Sequence, residues 1–70
     1  MIRLKLWRIQ SGHSQAKAAA LLGIGFSTLG FLETGRLKPS RGQVEQLRKY
    51  FGSETDSLFD EVRDRVEVGR

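Results

Sequence analysis

A chain of 70 residues with net charge +4, no cysteine and one histidine supports one domain, since it buries only about 60% of its unfolded surface, and leaves no room for a separate sensor domain. Without cysteine it has neither a disulfide framework nor thiolate metal sites, and His13 alone assembles no zinc or catalytic cluster, so neither a cofactor nor an enzymatic activity is expected. The charge is uneven: residues 1–50 hold nine Lys or Arg against Glu33 and Glu45, or +7, whereas residues 51–70 hold three against six acidic residues, or −3, a basic body suited to a polyanion with its acidic end turned away.

The punctuation of the chain predicts an all-α domain of five short helices, with no alternating stretch that argues for a strand. Helix one spans about Ile2 to Ser11 and stops at Gly12; Met1 to Ile9 alternates charged and apolar residues, which is no signal peptide. No run approaches the roughly 18 to 20 apolar residues of a membrane span, so a cytoplasmic protein with no membrane partner is expected. Ser14, a good N-cap, opens helix two, which runs through an alanine-rich stretch to Leu22 and ends at Gly23. Helix three begins near Gly25 or Phe26 and continues to about Thr34, with Gly35 as its stop. After the loop Arg36 to Pro39, Ser40 caps a fourth helix reaching Tyr50 or Phe51, with Val44, Leu47 and Phe51 at the spacing of a buried stripe. A fifth helix starts after Glu54 or Thr55 and extends over about residues 55–68, with Leu58, Val62 and Val66 on one face. These faces predict a core of Leu4, Trp7, Ala19, Leu22, Ile24, Leu29, Leu32, Val44, Leu47, Phe51 and Leu58.

Ser14-Gln15, Ala19, Leu22-Gly23, Ser27-Thr28, Glu33-Thr34-Gly35 and the basic run Arg36 to Ser40 stand at fixed offsets. In this pattern the chain resembles the Cro and lambda-repressor-like (Xre-type) helix-turn-helix family of bacterial and phage DNA-binding regulators, over residues 4 to 59. The resemblance implies a helix-turn-helix at about residues 14–34 and a second helix built to enter the major groove. Elementary packing supports the same reading: Ala19 sits where two helices cross, and Gly23 permits a tight turn between them.

The resemblance also assigns roles. Arg8 and Glu33 form a structural pair that ties helix one to the end of helix three. Gln15, in the first turn of helix two, faces a phosphate where free backbone amides and the helix dipole favour an anion. Lys17, Arg36, Lys38 and Arg41 extend this phosphate-contacting surface along the groove edge. Base contacts fall to Phe26, Ser27, Thr28, Gly30 and Phe31.

That reading surface departs from the usual one. Direct readout normally uses Arg, Lys, Asn or Gln in bidentate pairs with purines, and none occurs between Gly25 and Leu32; an aromatic instead contacts a thymine methyl. Two readings follow. In one, the protein is a sequence-specific regulator, a repressor at an operator, helped by DNA shape. In the other, exposed Phe26 and Phe31 bind a protein partner and the fold has been repurposed. Retention of Lys17, Arg36, Lys38 and Arg41 favours DNA. A toxin-antitoxin antidote or restriction-control regulator would use the same frame.

One such domain reads a half-site, and relatives pair two across a palindrome. A homodimer is therefore expected, through Leu58, Val62 and Val66 and a helix-one stripe of Ile2, Leu6 and Ile9.

Overall fold

The computed structural model describes residues 1–63. In them four α-helices, α1 (Arg3–Gln10), α2 (Gln15–Leu22), α3 (Phe26–Thr34) and α4 (Arg41–Phe51), are followed by a short 3-10 helix, Gly52–Ser57. The all-α class holds, and the β pairing among the described residues is an isolated antiparallel bridge between Ile2 and Glu61.

Local chemistry sets most of the boundaries. The Ser14 hydroxyl accepts the Lys17 amide at 3.0 Å and so satisfies a free donor at the start of α2. At α4 the Ser40 hydroxyl accepts the Gln43 amide while the Gln43 side chain accepts the Ser40 amide, a reciprocal capping box. Gly23 closes α2 at φ 72°, in the left-handed region. A Cβ there would also press on the Gln46 side-chain amide, which reaches from α4 to donate to the Leu22 carbonyl at 3.3 Å. The chain direction then turns through 105° into α3, within the roughly 90–120° of a helix-turn-helix pair.

The core gathers Leu4 from α1, Ala18, Ala19 and Leu22 from α2, Leu29 and Leu32 from α3, Leu47 from α4, and Leu58 beyond the 3-10 helix. Ile2, Trp7, Ile24, Phe51 and Phe59 are partly buried against it. Ala18 is fully buried beside Ala19, so two adjacent small residues let α2 approach its neighbours. Val44, expected in the core, is only half-buried. Trp7 packs edge-on to Phe51 at 5.0 Å between ring centroids, and Tyr50 packs against both.

Among the described residues the expected fifth helix is not formed. Gly52–Ser57 is a 3-10 helix in which the buried Thr55 hydroxyl donates to the Gly52 carbonyl at 2.7 Å. Beyond it the chain is drawn out along the start of α1, for a physical reason. No side chain caps α1, and its first amides need acceptors. Arg3 N–H donates to the Asp60 carbonyl at 3.0 Å and Leu4 N–H to the Leu58 carbonyl at 2.8 Å. The Met1 amine donates to the Val62 carbonyl, and the Val62 amide returns a bond to the Met1 carbonyl at 2.7 Å. The expected helix over about residues 55–68 would withdraw those carbonyls into its own i to i+4 bonds. The remainder of the expected extension, including Val66, lies outside the described residues. Among the described residues, no single helix is long and apolar enough to cross a membrane.

Leu47 is fully buried where α4 meets the other helices. Leu47→Ala is expected to lower the unfolding free energy by about 2–5 kcal/mol, read as a shifted urea midpoint at nearly constant slope.

Candidate nucleic-acid interface

Glu33, the penultimate residue of α3, has a side chain with no solvent exposure. A carboxylate in that position requires both a counter-charge and hydrogen bonds. Arg8 supplies the first: its Nε donates to Glu33 Oε2 at 2.7 Å, and its own side chain is only 14% exposed. A second Arg8 nitrogen, Nη1, donates to the His13 carbonyl at 3.0 Å. Gln15 Nε2 donates to Glu33 Oε1 at 3.2 Å. One carboxylate thus joins α1, the loop before α2, the first turn of α2 and the C-terminal half of α3. Arg8 and Glu33 form the pair expected for them, and His13 packs its ring 5.7 Å from that of Trp7.

With its inner face fixed by Leu29, Leu32 and Glu33, α3 turns a different set outward. Phe26, Gly30 and Thr34 recur at four-residue spacing, and Ser27 and Phe31 lie beside them on the same face. Phe26 is 57% and Phe31 46% exposed. Together with Gln15 and Arg36 these five residues line a shallow groove of about 320 Å³. Four of the five expected base-contacting residues, Phe26, Ser27, Gly30 and Phe31, are therefore brought together. Thr28 is half-buried and does not line the groove; it lies on the flank of α3 nearer the core.

The expected phosphate-contacting residues divide in two. Lys17, Arg36, Lys38 and Arg41 are exposed, and none has a carboxylate partner among the described residues. Arg48 on α4, by contrast, pairs with Asp56 at 3.2 Å and Glu45 at 3.8 Å. Gln15 is half-buried with Nε2 engaged by Glu33, so its amide is held in place rather than loose in solvent.

Sequence reasoning missed Thr34, which completes the outward face. The spacing Phe26, Gly30, Thr34 was the available signal. The Thr34 hydroxyl bonds to the Gly30 and Phe31 carbonyls at 3.1 and 3.2 Å, so its polar atom is occupied within the helix. Arg36 also lines the reading groove itself, nearer to α3 than a purely groove-edge role implied.

A family model described as a helix-turn-helix domain matches residues 2–62. No curated protein and no solved structure matches the chain.

Removing either member of the buried pair strands the other. Glu33→Ala and Arg8→Ala are each expected to cost about 3–5 kcal/mol, whereas the double variant Arg8→Met with Glu33→Leu recovers much of that loss. Urea unfolding of Arg8→Ala, Glu33→Ala and their double-alanine combination, treated as a double-mutant cycle, measures the coupling, and the Met/Leu variant is compared with the parent chain.

Proposed function

Because the chain belongs to the helix-turn-helix domain family, we propose that it is a sequence-specific DNA-binding transcriptional regulator, a repressor that occupies an operator with α3 in the major groove. The observation that carries this reading is the pairing of a solvent-facing α3 with four cations that have no carboxylate partner among the described residues. Such charges suit phosphates, which fix the register of a protein on the duplex without reading sequence.

On this reading each residue takes a role. Lys17, Arg36, Lys38 and Arg41 contact phosphates. Gln15 offers a phosphate the second of its two N–H donors, the first being held by Glu33. Phe26, Ser27, Gly30 and Phe31 face base edges, with Thr28 at the margin. The exposed phenylalanines also favour a second reading, in which this face binds a protein partner. That reading gives no reason for the exposed cations, unpaired among the described residues.

Pairing of two copies belongs to the proposal, since two half-sites about one helical turn apart match a two-fold dimer. Its surface is narrower than expected. Leu58 is buried at 3% exposure within its own protomer and is removed from the interface. Ile2 packs against the core, which leaves Ile9 exposed, Leu6 half-buried on α1, and Val62 half-buried in the C-terminal segment. Sedimentation with and without operator duplex tests this pairing; a monomer under both conditions removes it.

Selection from random duplex DNA, followed by titration of the winner at two salt concentrations, tests the function. An enriched sequence whose affinity falls steeply with salt is expected. Lys38→Ala should weaken binding to all duplexes alike and reduce the slope of log K against log salt by about 1. No enrichment together with weak binding at low salt overturns the DNA reading in favour of the protein partner.

A further inference from the structure

Resting on that DNA-binding reading, we propose that the outward groove of α3 is a receptor for the C5-methyl group of thymine, with Phe26 and Phe31 as its walls and the bare Gly30 backbone as its floor. Three independent observations support it.

The polar donors around the groove are partly committed. One Gln15 Nε2 donor is held by buried Glu33, and the Thr34 hydroxyl is bonded to two carbonyls of its own helix. Along α3 itself there is no Arg, Lys, Asn or Gln to form a bidentate pair with a purine edge. What α3 presents is two aromatic rings, one serine hydroxyl and a strip of bare backbone, with Gln15 and Arg36 also lining the groove. In the major groove the one apolar group that distinguishes a base is the thymine methyl, and apolar contact is the way it is read.

Gly30 has no internal reason to be glycine. Its backbone is ordinary helix and is not among the positive-φ glycines. A Cβ added there would meet only the Gln15 amide at 3.7 Å, an ordinary contact. Alanine would fit and would favour the helix. Glycine instead keeps the space between the two phenylalanines open.

The charge at the groove selects the occupant. Arg36 lines it, and elsewhere Lys17, Lys38 and Arg41 are further exposed cations without a carboxylate partner among the described residues. An apolar floor with a cation beside it complements a methyl-bearing base edge flanked by phosphates.

The test uses the full chain and the duplex selected above. Each thymine is replaced in turn by deoxyuracil, which removes the methyl and keeps the pairing, and binding is followed by fluorescence anisotropy at fixed salt. One or two positions per half-site should weaken binding about three- to fivefold, the effect of one buried methyl group. At such a position, 5-methylcytosine should bind more tightly than cytosine by a similar factor. Phe31→Ala should bring the thymine-to-uracil ratio towards one. Gly30→Ala should raise the melting temperature yet also bring that ratio towards one, separating the groove from the fold. Tolerance of uracil at every position while sequence preference persists overturns the methyl receptor and leaves the DNA reading standing. An intact ratio in Gly30→Ala overturns the floor assigned to Gly30. Absence of any preferred duplex removes this inference, and weak binding at low salt as well removes the DNA reading.

Discussion

A carboxylate buried in so small a core is tolerable only if neighbouring elements converge on it, and that convergence positions everything the protein presents outward. Glu33 accepts from Arg8 on α1 and from Gln15 on α2 while belonging to α3. The net contribution of such a pair to stability is small, because desolvation offsets most of its Coulomb attraction. Its consequence is geometric: the loss incurred when one partner is removed penalises any arrangement in which α3 rotates about its axis. Rotation by a single residue, about 100°, would carry Glu33 out of reach of Arg8 and turn Phe26 and Phe31 away from their present face.

The same interaction shapes the chemistry of that face. Gln15 is, with Arg36, one of two long polar side chains beside the groove, and binding Glu33 removes one of its donors from the surface and fixes the rest. Thr34 is treated alike by its own backbone. Polar groups that could reorganise to suit several base pairs are thereby restrained, and the apolar walls and floor remain. A rigid, apolar surface discriminates by shape and by the presence or absence of a methyl group; a flexible polar one would accept more alternatives.

The elements that were legible in the sequence are those decided by neighbours in the chain. Ser14, Gly23 and Ser40 act within a few residues of themselves, and the boundaries they imply for α2, α3 and α4 hold. Leu4, Leu22, Leu29, Leu32 and Leu47 follow helical spacing and are buried. The C-terminal segment failed for the opposite reason. Leu58, Val62 and Val66 have helical spacing, yet the amides of Arg3 and Leu4, more than 50 residues earlier, claim the carbonyls of Asp60 and Leu58. Unsatisfied donors at the start of a helix leave no mark at the distant positions that satisfy them. Gln15 shows a milder form of the problem: its place at the helix start was readable, whereas its bond to Glu33 depends on how three helices meet.

On the proposed DNA-binding reading, affinity and discrimination would be separated on this surface, and that separation bears on assembly. Phosphate contacts by Lys17, Arg36, Lys38 and Arg41 would add affinity for any duplex and so discriminate nothing. Discrimination by apolar contact is modest for each base, roughly 0.8 kcal/mol for a buried methyl against about 1–3 kcal/mol for a bidentate pair. A single copy with two such contacts would favour its half-site by little more than tenfold, too little where nonspecific sites number about a million or more. Two copies on one symmetric operator square that factor without any new kind of contact. The apolar reading helix is therefore itself an argument for pairing, independent of which part of α1 or the C-terminal segment forms the interface: the weaker the reading of each half-site, the more specificity depends on reading two together.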